Sequence, residues 1–330
     1  MGRALKPRRS TEGSLMIRIR PIAAAPAVNH LRVCALACVL LAAGAGPAAA
    51  DERSTAAVAK LVRAHIAASI KTEGAFLGTL TDDAHVTTPE GAPDVGAIGC
   101  RDSPDACGAP FNLYEHTTDI LGSFKYASIG KPAIYVDDAN HVAFFQVAVK
   151  LSVDGSRGEE MDVDVRGKTT MRLTGIAVDQ QGAWKIAAIA YAPSITDRRL
   201  ADEAERPDGQ RFAPRKAVTK EVMSWVGHLA DHISPRAIGA AGTAPKELAT
   251  KPAAIAQLAR TWDKLPLDIT YLEAIEHGNA AFLWGTAYRK VGPKAAALVP
   301  IILVEKDGSG WKWIAISWVP RQMFEASLGR

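Results

Sequence analysis

The chain has 330 residues, 48% hydrophobic and 22% charged. This is globular composition, and it excludes a disordered, collagen-like or polytopic membrane protein. The length suits about two domains with a core each, and the excess of 39 Lys+Arg over 35 Asp+Glu, net +4, invites a nucleic-acid or membrane reading.

The first segment takes up most of that charge. Residues 1–32 carry Arg3, Lys6, Arg8, Arg9, Arg18, Arg20 and Arg32 against one acid, Glu12. An apolar run from Val33 to Ala43 follows, then a Gly/Pro stretch and Ala48-Ala49-Ala50 before Asp51. A basic region, a short apolar region and a small-residue cleavage site predict a secretory signal peptide over 1–50. The competing reading is an uncleaved anchor, for which the run is short and Gly-rich. Met16 is an alternative start, Arg8-Arg9 lacks the close apolar neighbour of a twin-arginine signal, and Cys38 has too few apolar residues before it for a lipoprotein site.

Cleavage after Ala50 would remove seven basic residues and one acid, leaving 32 Lys+Arg and 34 Asp+Glu, a net of −2. No dense basic patch remains, so no nucleic-acid partner is expected, nor a membrane span after cleavage. Export would also leave Cys100 and Cys107 as the chain's two cysteines. In an oxidising compartment such a pair reads as a disulfide. It closes a short loop, for at most roughly 2–3 kcal/mol. A metal site on both sulfurs would need two further ligands, and only His116 stands near.

Past the leader, Ser54/Thr55 are the expected N-cap of a helix through Lys71. Val58, Leu61, Val62, His65, Ile66 and Ile70 mark one face. A short Gly-bearing segment, Thr72–Leu80, leads to a brief strand within Asp82–Gly91, after which the cysteine loop and a helix near 112–121 follow. Extended segments are predicted at 132–138, 141–153, 160–178 and 183–192. A polar linker, 201–212, separates a second stretch. That stretch has helices at 216–233 and 252–264, then strands at 267–276, 279–291, 296–306 and 311–319.

The two stretches share an order of elements, and the match reaches individual residues. Segment 141–149 aligns with 279–287. Segment 182–193 aligns with 310–320 after a one-residue slip, keeping Trp184-Lys185 with Trp311-Lys312 and a closing Pro in each. The predicted layout is therefore a duplication, 51–200 and 213–330, with no counterpart of the Asp82–Gly91 strand in the second copy.

Helices followed by strands, the last opening Gly-x-Trp-x-Ile, resemble the nuclear transport factor 2-like superfamily, and within it SnoaL-like and ketosteroid-isomerase-like domains. The resemblance rests on Val58–Ile70, Leu80–Gly91, the strands at Trp184 and Trp311, and Gly242–Glu247 leading into the next helix. It implies an α+β fold of two tandem cone-shaped domains, each with helices packed on a curved antiparallel sheet. It also implies a pocket for small, often apolar molecules and sheets whose outer faces pair, here within one chain as a pseudo-dimer.

The isomerase chemistry of that resemblance makes a demand. It needs a carboxylate base and a Tyr or neutral acid donating to the enolate oxygen, for which ketosteroid isomerase is the standard example. The base in that family's pattern precedes the turn Pro. Here Thr88 precedes Pro89, and a hydroxyl is no base at neutral pH. Glu90, His65 and His85 remain as the candidate catalytic groups, with Glu90 in a turn and His65 on an apolar helix face. His228 and His232 are a turn apart, but Leu229 replaces the Glu of a zinc-protease motif. Acids at 154 and 159–164 alternate with apolar residues as on a half-exposed strand, against a calcium site. No metal or cofactor is expected.

Trp225, Trp262, Trp284, Trp311, Trp313 and Trp318 all fall in the second copy, either as core or as an aromatic pocket. The expected ligand-binding residues are His65, Tyr191, Trp284, Tyr288 and Trp318. Trp284 and Trp318 stand out because the first copy has Gln146 and Tyr191 at the matching positions. The leading reading is an exported non-enzymatic binding protein for a small apolar ligand. The alternatives are an isomerase or cyclase acting on an apolar ring compound, and a structural scaffold.

Overall fold

A computed structural model describes residues 47–70, 74–87, 124–153, 167–193, 213–243, 247–291, 294–308 and 310–320. Helix α1 runs from Pro47 to Ile70, seven residues earlier than the predicted cap at Ser54. Pro fits the first turn of a helix, and the alanines after it are strong helix formers. Val58, Val62, His65, Ile66 and Ser69 form its buried face. A 3-10 turn, Gly74–Thr79, leads into β1 (Leu80–Thr87). Then come β2 (Phe124–Ile129), β3 (Ala133–Asp137), β4 (Val142–Val153), β5 (Gly167–Gln180) and β6 (Ala183–Pro193). They form one six-stranded sheet of order β1-β6-β5-β4-β2, with β3 also paired to β4.

The second sheet has order β8-β7-β12-β11-β10-β9. Its strands are β7 (Gly239–Ala241), β8 (Leu248–Ala249), β9 (Leu267–His277), β10 (Ala280–Val291), β11 (Lys294–Asp307) and β12 (Gly310–Pro320). The fold is thus α+β with two separate sheets, as expected. In each, the last strand pairs in parallel with an early strand, β1 with β6 and β7 with β12. The expectation that the second stretch has no such strand is corrected by β7. Three small residues carry no period-2 pattern, so the strand is invisible to periodicity.

The helix predicted over 216–233 is also corrected. Helix α2 covers only Ala217–Met223 and is followed by a 3-10 turn at Leu229–His232. Between them Gly227 takes φ +85°, a conformation that ends helices and that Gly adopts without penalty. Asp263 accepts the amides of Leu229 (2.6 Å) and Ala230 (3.1 Å), satisfying the start of the new turn. The apolar period survived the break because Val218, Val222, Trp225 and Leu229 all enter the core. Helix α3 spans Pro252–Trp262, close to expectation. The predicted helix near 112–121, the linker 201–212 and the acidic segment 154–166 lie outside the described residues.

Strand alternation sends side chains to two different cores. From β4, Ala143, Phe145, Val147, Val149 and Leu151 pack with α1, while Val142 and Phe144 pack on the opposite face. From β10, Ala281, Leu283 and Ala287 pack in the core that holds α2 and α3, and Ala280, Phe282 and Trp284 lie opposite. The opposite faces of both sheets belong to one shared apolar cluster, with Ile176, Ala188 and Ala190 meeting Val299, Ile301, Leu303 and Ala315.

Polar contacts cross between the sheets as well. Gln146 Nε2 donates to Ser317 Oγ at 3.0 Å, and a Cβ on Gly239 would sit 1.9 Å from Gln146 Oε1. Asn279 Nδ2 donates to Asp137 Oδ2 at 2.9 Å, and the Arg236 guanidinium lies 5.5 Å from the Tyr135 ring centre.

Both last strands carry a bulge at matching places. Ala187 is the extra residue opposite Ile176/Ala177, and Ile314 the extra residue opposite Leu303/Val304. Each follows its Trp, Trp184 or Trp311, by three residues. The bulge flips the facing, so that Trp184, Ile186, Ile189 and Tyr191 all reach the core of α1. Trp311, Trp313, Ile316 and Trp318 do the same in the second core.

Candidate functional site

On the helix side of the first sheet, two buried polar residues are closed in on one another. His65 on α1 meets Tyr191 on β6, with Nε2 2.5 Å from the phenol oxygen, and its Nδ1 lies 2.7 Å from Thr79 Oγ1. The Thr79 hydroxyl itself donates to the Phe76 carbonyl, so its oxygen is left to accept from Nδ1–H. This assigns the tautomer: Nε2 is the acceptor, and the Tyr191 hydroxyl donates to it. Burial lowers the His65 pKa to about 4 and pushes that of Tyr191 up. At neutral pH both are therefore uncharged, bonded and buried at 1% and 2% exposure. Two expected ligand-binding residues are thus brought together, buried and bonded to each other.

His85 lies on β1, buried, with its ring 3.9 Å from that of Trp284 on β10. Burial lowers its pKa to about 4. Trp284 belongs to the apolar cluster shared by the two sheets. Tyr288 shares the strand parity of Trp284 and is absent from the cavity lining. Glu90, Thr88, Cys100 and Cys107 lie outside the described residues. His228 is exposed, and His232 stacks on Trp225 at 4.7 Å. Among the described residues no group of three His, Cys, Asp or Glu is placed to hold a metal, and no helix is long and apolar enough to cross a membrane.

Trp318 does line a cavity. The cleft opens beside α3 and the ends of β10 and β12, with a volume of about 90 Å³, and is partly open to solvent. Its apolar wall comprises Trp262, Leu265, Leu267, Leu298 and Trp318, with Trp262 and Trp318 edge to face at 5.9 Å. Thr243, Glu247 and Arg289 supply polar groups. The segment carrying Thr243 is held from the other sheet, because the buried Arg172 of β5 donates through Nη1 to the Gly242 carbonyl and attracts Glu247. A Cβ on Gly242 would lie 2.1 Å from Glu247 Oε2, so the Glu247 side chain would have to shift.

Sequence reasoning missed Thr243, Glu247 and Arg289. Arg289 had a readable signal. It continues the inward series Ala281, Leu283, Ala287 on β10, and a charge on an inward strand position marks a site or a paired ion.

No family model and no curated protein matches the chain. Solved structures do. One is a nuclear transport factor 2-like protein of unknown function from Pseudomonas putida, 12% identical over 44% of this chain and 92% of that one, with a TM-score of 0.32. The superfamily resembled by the sequence is among the matched structures. A protein with a cystatin-like fold from Caulobacter vibrioides is 18% identical over 45% of this chain and 94% of that one, TM-score 0.32. The structure of LinA is 17% identical over 49% and 95%, TM-score 0.32. These likenesses carry no activity or substrate across to this chain.

Proposed function

We propose that the chain is an exported, non-enzymatic binding protein. In this reading it has two tandem domains, 51–200 and 213–330, paired through their sheets as an intramolecular pseudo-dimer, and its small-molecule site lies in the second. One contrast carries the reading. Tyr191 and Trp318 occupy the same place on β6 and β12, four residues beyond the bulge. Tyr191 is buried and hydrogen-bonded to His65, whereas Trp318 lines a cavity. The first domain then serves as a companion that fixes the second, consistent with the Arg172 contact to Gly242.

The probe for this reading is N-phenyl-1-naphthylamine, an apolar ring compound that fluoresces on leaving water. Saturable binding at one site per chain is expected, and Leu298→Trp, which fills the cleft, should abolish it. Tyr191→Phe should leave it unchanged. Binding that is non-saturable, or insensitive to Leu298→Trp, contradicts the assignment. Export is tested separately, by sequencing the N-terminus of the protein recovered from the periplasm or medium. The expected first residue is Asp51, and titration should find no free thiol at Cys100 and Cys107.

A further inference from the structure

Among the described residues Arg172 is the one lysine or arginine that is buried, at 2% exposure. Such a charge is costly to bury and is almost never found so unless it is paired. Arg172 shares a face of β5 with Thr174 and Ile176, the face that meets the second sheet. From there it reaches the segment after β7, where Nη1 donates to the Gly242 carbonyl. Glu247, at the start of β8, supplies the negative charge that offsets the burial. Its carboxylate lies over Gly242, and the Gly242 amide donates to the Glu247 carbonyl at 2.8 Å. The buried cation of one domain is thus spent on the β7–β8 hairpin of the other.

That hairpin has little of its own to fix it. β7 pairs with β12 over three residues and with β8 over two. The side chains it places in the helix-side core are alanines, Ala240 and Ala249, which bury little apolar area. A hydrogen bond from a charged donor is roughly twice as strong as a neutral one, so Arg172 supplies a sizeable share of the hold. The same hairpin brings Gly242, Thr243 and Glu247 to the cleft, and every lining residue belongs to the second domain. Resting on the binding reading above, we infer that Arg172 is a positioning residue for the cleft: a side chain of the first domain sets the wall of a site lined wholly by the second. Affinity in the cleft then depends on how the two sheets are seated, and by reciprocity occupancy of the cleft steadies that seating.

Hydrogen–deuterium exchange of the full chain and titration with N-phenyl-1-naphthylamine test the inference together. Arg172→Met removes the charge and the donor while filling the space. Phe282→Ala weakens the apolar cluster between the sheets and leaves Arg172 in place. Arg172→Met is expected to speed exchange over 239–249 about tenfold relative to β10 and β11. It should also weaken probe binding about tenfold, the order expected when one charge-assisted hydrogen bond is lost. Phe282→Ala should lower the denaturation midpoint with probe affinity within about twofold and no selective change over 239–249. Should Arg172→Met fail to fold, Arg172→Gln keeps a polar side chain at the position and is expected to move both readouts the same way. Equal effects of the arginine and phenylalanine variants on both readouts would reduce Arg172 to general packing and overturn the inference. Faster hairpin exchange with unchanged probe affinity would equally overturn its role in the cleft. No saturable probe binding by the unaltered protein would remove the binding reading and the link to occupancy, while the exchange pattern still decides whether Arg172 holds the hairpin.

Discussion

His65 shows how a titratable side chain can serve a core. Its two ring nitrogens are engaged by Tyr191 and Thr79, and burial lowers its pKa to about 4. An unfolded histidine titrates near 6.5. Between those values the unfolded chain binds a proton that the folded chain refuses, so stability falls as pH drops from about 6.5 towards 4 and levels off below. His85, lowered to about 4 against Trp284, adds to the same slope, each contributing up to about 3 kcal/mol. Urea denaturation at pH 7 and pH 4.5 should show a clear loss of midpoint at the lower pH. His65→Leu should shrink that loss, although it lowers the midpoint at both pH values by removing a partner from Tyr191. A midpoint that does not move with pH would exclude buried neutral histidines. Part of this was legible, since an apolar helix face around His65 already implied a core or pocket residue. Its partners were not, because Thr79 and Tyr191 lie 14 and 126 residues away and no local pattern links them.

Among the elements, the long central strands were the most readable and the short pieces the least. Strands β3, β4, β6 and β9–β12 fall within a few residues of their predicted limits, because Gly and Asp/Asn turns punctuate long apolar runs. Strands β7 and β8, of three and two residues, are too short for any period to register. What periodicity could not tell was which face a residue occupies. Central strands of both sheets are buried on both faces, so they read as nearly continuous hydrophobic runs. Trp284 and Trp318 therefore looked alike in sequence, yet one lies between the sheets and the other lines the cleft. Tight backbone approach gives a test at this scale. A Cβ on Gly285 would lie 2.0 Å from the Tyr271 carbonyl oxygen, beside a pairing irregularity at Thr286/Ala287, whereas Gly78 meets nothing within 4 Å. Gly285→Ala should cost about 1–3 kcal/mol of stability by overpacking. Gly78→Ala should change it little, and comparable denaturation midpoints for the two would show that β9 can move aside.

For the molecule as a whole, a third buried apolar cluster joins the two sheets outside the cores that hold the helices. Phe282, fully buried there, should cost about 3–5 kcal/mol when replaced by Ala. The proposed pairing predicts that both halves then melt together at a lower temperature. Two separated calorimetric transitions in the unaltered protein would argue against such coupling. The polar patch of Gln146, Thr174 and Ser317 should behave differently. Removing one member leaves buried partners unsatisfied, whereas replacing all three by apolar residues of similar shape should be closer to neutral. Contact between the outer faces of the sheets entered the sequence reading only as an implication of the family resemblance. The residues that form it are separated by tens of positions to well over a hundred, and their apolar character is shared with both cores.

The two bulges bear on how such a chain can change. A strand that alternates strictly gives each side chain a fixed side, so one inserted residue works as a frameshift in space. Ahead of Ala187 and Ile314, the even or odd positions that face the helices are one set; beyond them, the other. Loss of either residue would leave the strand paired but exchange the two sets downstream. Tyr191 or Trp318 would be driven between the sheets, and Ala192 or Val319 would be turned towards the helices. Substitutions at these strand ends can be tried one at a time, but their length cannot, so the reading frame of the last strand is under tighter constraint than any single side chain on it.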